Sequence, residues 1–233
     1  MLHFVLVEPG VPENVGAAAR ALKTMGFSSL WIVNSQAHRD KPARILAHGS
    51  HDILDSVREF PDLAAVRAEV DLMVGTSAKP RHQREVLLPP PQLRDQLLQK
   101  RGSLTSVALV FGREESGLHR DEISLCDLLT SIPLAVAYPS LNLAQAVMLY
   151  AYALNDVPQK STADSSAPDQ YAALRVKCAE LLQRIGYAPE EKLYQWLMER
   201  LSLLDTRSIG FAHHLVDKLR HWHPAGSESR VES

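Results

Sequence analysis

The sequence is short of several things, and each shortage excludes a class of protein. It has two cysteines in 233 residues, Cys126 and Cys178. They stand in neither a CxxC nor a zinc-type spacing, so a disulfide framework and a structural zinc site are both excluded, and two small buried or half-buried thiols are expected. No run approaches the ~18 apolar residues that span a bilayer. The opening MLHFVLVEPG has no basic leader and reads as a strand rather than a signal peptide. Charge of one sign is also missing: 25 Lys and Arg face 27 Asp and Glu, net −2. Binding nucleic acid by bulk charge is therefore excluded, while a local basic patch is not. A reducing, cytoplasmic setting is the expectation. With 45% hydrophobic and 22% charged residues the composition is that of a globular chain, large enough for a core domain and an appendage.

What is present alternates. Short, nearly continuous apolar runs at 4–7, 30–33, 72–75, 107–111 and 128–132 read as strands buried on both faces. Helical stretches are expected at 14–25, where Gly26 supplies the stop, and at 61–70, 89–100 and 142–154. This alternation predicts an α/β fold, a parallel sheet with helices on both faces, over residues 1–154. Residues 155–170, NDVPQKSTADSSAPDQ, read as a linker. A helical extension follows over 171–223, with helices at 171–185, 189–203 and 206–222, the middle one opened by Pro189-Glu190-Glu191. Residues 224–233 read as a polar tail.

Four strand ends carry small or polar residues. After the first strand comes EPGVPENVGAAAR, residues 8–20. Its Gly-x5-Gly spacing is neither GxGxxG nor a P-loop, which excludes the usual dinucleotide and ATP readings. What remains is a helix start with Asn14 as its cap and Arg20 about a turn and a half inside. It suits either an anion or plain close packing. LVFGREESGL, 109–118, ends a buried strand at Gly112 and continues into Arg113 and Glu114. Ligands in open α/β sheets bind at such ends, though a loop ion pair would need the same residues. IPLAVAYPSLNLAQAV, 132–147, is a strand end and a Pro-rich turn, with Ser140 or Asn142 capping an apolar helix. VGTSA, 74–78, is the fourth.

PENVGAAARALKTMGF, LVFGREESGL and IPLAVAYPSLNLAQAV, in that order and with VGTSA between the first two, resemble the SpoU branch of the SPOUT RNA methyltransferases, and within it the TrmJ and LasT groups. The resemblance spans residues 1–154, and a helical extension after the catalytic domain is similar too. It implies a C-terminal trefoil knot and a homodimer with the active site near the subunit interface. It implies S-adenosylmethionine as cofactor, held around Thr76, Ser77, Ala78, Gly112, Ile132, Ser140, Leu141 and Asn142. Asn14, Arg20, Glu114 and Asn142 match the functional polar positions, and no metal is implied.

The implied reaction is 2′-O-ribose methylation of tRNA, with the anticodon loop as a candidate region. The same reaction on rRNA, or an RNA-binding module without catalysis, are the alternatives. A guanidinium does not give up its proton readily. Arg20 is therefore expected to hold an RNA phosphate and stabilise the developing oxyanion, with Glu114 orienting Arg20 or the ribose. RNA contact is expected from Arg20, Arg113 and the basic run Lys79, Arg81 and Arg84. That run opens a stretch, 79–101, of net +4, whose bland alternative is a solvated loop. The extension is expected either to bind tRNA or to strengthen the dimer. The histidines at 213, 214, 221 and 223 lack a partner set for metal.

Overall fold

The computed structural model describes residues 1–77, 87–100, 103–136, 140–159 and 170–221. Strands β1 (Leu2–Val7), β2 (Leu30–Val33), β3 (Arg58–Phe60), β4 (Leu72–Thr76), β5 (Leu87–Leu88), β6 (Val107–Phe111) and β7 (Leu128–Thr130) form one sheet in the order β3-β2-β1-β6-β4-β7-β5. Every pairing is parallel. Helices follow in chain order: α1 (Pro12–Thr24), α2 (Lys41–Leu46), α3 (His51–Asp55), α4 (Leu63–Arg67), α5 (Pro90–Gln99), α6 (Arg120–Leu125) and α7 (Leu143–Ala153). The extension adds α8 (Gln170–Arg184), α9 (Lys192–Leu201) and α10 (Thr206–Arg220). The expected α/β class with a parallel sheet is thus present.

Strand periodicity divides the core in two. Phe4, Leu6, Leu30, Ile32, Val74, Leu109 and Phe111 face one layer, with α1, α2, α3, α5 and α7. Val5, Val7, Trp31, Val33, Met73, Ala108 and Val110 face the other, with α4 and α6. A right-handed crossover requires this division, because each helix lands on the face set by the direction in which the chain moves along the sheet. Adjacent strands β1 and β6 therefore send their helices to opposite faces, and a crevice opens at their carboxyl ends.

α1 is placed by a close approach. A Cβ on Gly16 would overlap the carbonyl oxygen of Ala43 in α2, so only glycine lets the two helices touch there. Gly26, at φ +82°, ends the helix as its position in the sequence implies.

The extension docks on its own chain. Arg175 of α8 pairs with the buried Asp127 at 2.9 Å. Thr206 Oγ1 donates to the Gln99 carbonyl at 3.0 Å and accepts from Ser103 Oγ at 3.0 Å. Tyr171, Leu174, Cys178, Leu201, Ile209 and Val216 join the sheet's first apolar layer.

Several expectations need correction. Sequence pattern predicts neither β3 and β5 nor α2, α3 and α6; each is only two to six residues long, too short for a periodic signal. α1 starts at Pro12, with Val11 at its cap, so Asn14 lies inside the first turn. Proline at the first helical position loses no hydrogen bond there, which permits the earlier start. α9 starts at Lys192, leaving Pro189-Glu190-Glu191 ahead of it with Glu191 at the cap. The end of the helix expected at 206–222 reaches outside the described residues.

Gly16→Ala is expected to destabilise the chain by about 1–3 kcal/mol, since the Ala43 backbone must shift to admit the methyl. Urea unfolding of the variant and the parent checks this, and equal midpoints would refute the close-approach argument.

Candidate active site

The carboxyl edge of the sheet brings three of the four sequence-marked polar residues into one hydrogen-bonded chain. Glu114 Oε1 accepts from Asn14 Nδ2 at 3.0 Å. Asn14 Oδ1 accepts from Asn142 Nδ2 at 2.9 Å. The same Glu114 carboxylate takes the backbone N–H groups of Gly10 at 3.1 Å and Val11 at 3.3 Å. Asn142 caps α7, its Oδ1 accepting from Ala144 N at 2.8 Å, while Gln145 Oε1 reaches back to the Asn142 N–H at 3.2 Å. Three segments far apart in sequence therefore meet at the β1–β6 crevice, and the cap on α7 is Asn142 rather than Ser140.

The entry to α1 has no side-chain cap of its own, and Glu114 supplies its anion. The helix start expected to attract a phosphate is thus occupied by the protein's own carboxylate. Burial works to raise the Glu114 pKa, but the bonds from Asn14, Gly10 and Val11 outweigh it and hold the carboxyl below its ordinary value.

Arg20 is exposed on α1, and among the described residues no partner holds its guanidinium. Glu114 does not orient it; the carboxylate is turned to the start of the helix instead. Arg113 also differs from expectation. Its guanidinium is 2.7 Å from Glu8, 2.9 Å from Glu122 and only 17% exposed. Two carboxylates thus share one guanidinium fork. Glu8 in turn accepts from Asn34 Nδ2 at 2.9 Å. Glu8 and Asn34 both have positive φ, 45° and 49°, directly after β1 and β2. Backbone strain of this kind persists only where surrounding bonds over-determine it, and it concentrates at functional edges. Sequence pattern singles out neither residue, because positive φ at a non-glycine leaves no compositional trace.

Thr76, Ser77, Gly112 and Ile132 sit at or just beyond the ends of neighbouring strands. Thr76 Oγ1 donates to the Val110 carbonyl at 3.0 Å, and Ser77 N to the Thr130 carbonyl at 2.9 Å. Gly112 admits no side chain, since a Cβ would overlap the backbone of Gly117 and Leu118, where residues 113 and 117 bridge. Ile132 is half-buried against the core, Leu141 is half-buried, and Ser140 is exposed. Ala78, Lys79, Arg81 and Arg84 lie outside the described residues. Thr76, Gly112 and the half-buried Ile132 thus lie at the carboxyl ends of β4, β6 and β7, three neighbouring strands. Among the described residues no cluster of His, Cys, Asp or Glu could hold a metal, and no helix is long and apolar enough to cross a membrane.

Glu8 sets an acid dependence. The hydrogen bond from Arg113, then that from Asn34, lowers its pKa from 4.5 to about 2. A carboxyl depressed on folding contributes stability above its unfolded value of 4.5, and that contribution is lost as pH falls toward 2. Glu8→Gln is therefore expected to be less stable than the parent at pH 7 and to converge with it near pH 2. Thermal midpoints across pH 2–7 measure this, and a constant gap would contradict it.

Comparison with known proteins identifies the architecture. Residues 1–152 match the model of the SpoU rRNA Methylase family, and residues 168–221 match that of the tRNA/rRNA methyltransferase LasT C-terminal domain. The chain is 44% identical over 217 residues to the uncharacterized tRNA/rRNA methyltransferase LasT of Escherichia coli (strain K12), covering 92% of this chain and 95% of that protein. It is 33% identical to the tRNA (cytidine/uridine/adenosine-2′-O-)-methyltransferase TrmJ of Pseudomonas aeruginosa, covering 99% and 89%. The crystal structure of TrmJ from Z. mobilis ZM4 superposes with a TM-score of 0.67 at 25% identity, covering 94% of this chain and 99% of that one. With the family match spanning the sheet-bearing part and its three motifs converging on one crevice, the chain belongs to the SpoU methylase family.

Proposed function

We propose that this protein transfers a methyl group from S-adenosylmethionine to a ribose 2′-hydroxyl of tRNA, acting in the cytoplasm as a homodimer. The observation that carries this reading is the Asn142–Asn14–Glu114 chain, which ties all three family motifs together at one strand-end crevice. The relatives named as tRNA 2′-O-methyltransferases support the substrate class. A trefoil knot threading the C-terminal part of the sheet domain belongs to the same reading. The cofactor would lie against Thr76, Ser77, Ala78, Gly112, Ile132, Ser140, Leu141 and Asn142.

When bound, that cofactor supplies an activated methyl on a sulfonium, so the protein's work is alignment and charge. Alignment alone accounts for several kcal/mol of such a barrier. Glu114 fixes the start of α1 through Gly10, Val11 and Asn14, and thereby fixes the helix that carries Arg20. Arg20, with no partner among the described residues, holds a phosphate and stabilises the oxyanion that grows on the 2′-oxygen. The proton leaves to solvent or to an RNA phosphate. Asn142 and Asn14 position the crevice rather than touch the reacting atoms. Lys79, Arg81 and Arg84 add phosphate contacts beside the VGTSA strand end. Arg113 is left out of the RNA contacts, since Glu8 and Glu122 engage it.

rRNA as the substrate is the second reading, favoured by the description of the matched family as rRNA methylases. Labelled S-adenosylmethionine offered with unmodified tRNA and, separately, with rRNA distinguishes the two. Arg20→Ala is expected to lower transfer by roughly 10²–10³-fold, the loss typical of one oxyanion donor, with cofactor affinity unchanged. Arg20→Lys should recover only part of it, because a planar fork is lost. Full turnover by Arg20→Lys would overturn the assigned role, and failure of the parent to bind the cofactor would overturn the enzyme reading.

A further inference from the structure

The crossover from β2 to β3 forms a second basic surface that methyl transfer does not use. Arg39, Lys41, Arg44, Ile45, His48 and His51 line an open hollow of about 510 Å³. Among the described residues no carboxylate lines it. Arg39 and Arg44 are each tied at its rim, to Glu59 and to Asp55, but these pairs are exposed. An exposed pair is worth at most about 1 kcal/mol, so a phosphate can take over either guanidinium at little cost. Lys41 is exposed and has no ion-pair partner among the described residues. His51 is oriented by the Arg44 carbonyl, 2.8 Å from its Nε2. Ile45, 60% exposed, adds an apolar wall on which a sugar or base can rest.

The hollow is built largely on α2, the helix that packs against α1. Gly16 is where α1 meets α2, at Ala43. Arg20 is four residues further along α1, and residues at that spacing share a helix face. α2 therefore flanks the side of α1 that carries Arg20. Ser35 Oγ also donates to the Pro9 carbonyl at 3.1 Å, which joins the segment leading into α2 to the β1 loop.

We propose that this hollow holds a backbone phosphodiester of the RNA substrate, flanking the ribose presented to Arg20. The inference rests on the RNA reading above and adds a place where the strand is gripped. Three cations exclude a metal ion. An enclosed site would suit a small anion, whereas an open one lets a polymer pass through.

The test is equilibrium binding of tRNA by the full chain across a range of salt concentrations. Removing one phosphate-binding cation makes the slope of log K against log salt shallower by about 0.7–0.9. Lys41→Ala/Arg44→Ala is expected to flatten the slope by one to two such steps, with S-adenosylmethionine affinity unchanged. Lys41→Glu, at an exposed and unpaired position, should weaken tRNA binding without disturbing the Arg44–Asp55 pair. Inorganic phosphate at constant ionic strength should displace tRNA only at concentrations far above those at which tRNA itself binds; free phosphate binding as tightly as tRNA would mark a free-anion site and overturn the assignment to RNA. An unchanged slope in both variants, with a parent that still methylates RNA, overturns this inference alone. A parent that binds the cofactor but no RNA removes both.

Discussion

The structure depends on one carboxylate bound to the start of one helix. Glu114 comes from the loop after β6, and α1 follows β1, its neighbour in the sheet. Because the two strands send their helices to opposite faces, nothing in the sheet itself fixes α1 against that loop. The Glu114 bonds to Gly10, Val11 and Asn14 do so. They also offset the exposed N–H groups where the helix begins, a place without a side-chain cap of its own. Asn14 then passes the constraint to Asn142, which caps α7. Both helices pack on the same face of the sheet, so one network sets the relative position of two layers and of the crevice between them.

Around this network the protein matches its own charges. Arg113 is shared by Glu8 and Glu122, and Glu8 reaches Asn34. The two strained residues, Glu8 and Asn34, are bonded to each other, which is how positive φ at adjacent strand ends is sustained. At the opposite end of the molecule Asp127 plays a comparable part. Its carboxylate accepts from Met73 N at 2.8 Å and pairs with Arg67 and Arg175, so it joins β4, α4 and α8. A buried carboxylate so placed contributes orientation more than net stability, because desolvation offsets much of the attraction.

Much of the fold is legible in the sequence, since its signals are of the kind that burial produces. Strands buried on both faces read as apolar runs, and the long helices carry period and stops such as Gly26. β3 and β5 escape because a three-residue or two-residue strand has no period to read. The site is legible as three motifs, but the pairing inside it is not. The sequence places Arg113 and Glu114 side by side, which suggests a pair. The chain turns between them, so one goes to Glu8 and Glu122 and the other to α1. Nor does spacing show that Asn14 lies inside α1 rather than at its cap, because Pro12 starts the helix earlier.

These internal commitments decide where an anionic substrate can be attracted. A chain of net −2 cannot draw RNA by its total charge. At the crevice, Arg113 is neutralised by two carboxylates, and the Glu114 carboxylate is turned inward onto amide donors. Arg20 is the cation on α1 left without a partner among the described residues, and Lys41 is left so on α2, the helix packed against that side of α1. These two exposed cations, unlike Arg113, are therefore open to an anionic partner. The framework pairs thus do more than hold loops. By engaging Arg113 they keep it from competing for an anion, and the Glu114 bonds that fix α1 also fix where Arg20 stands.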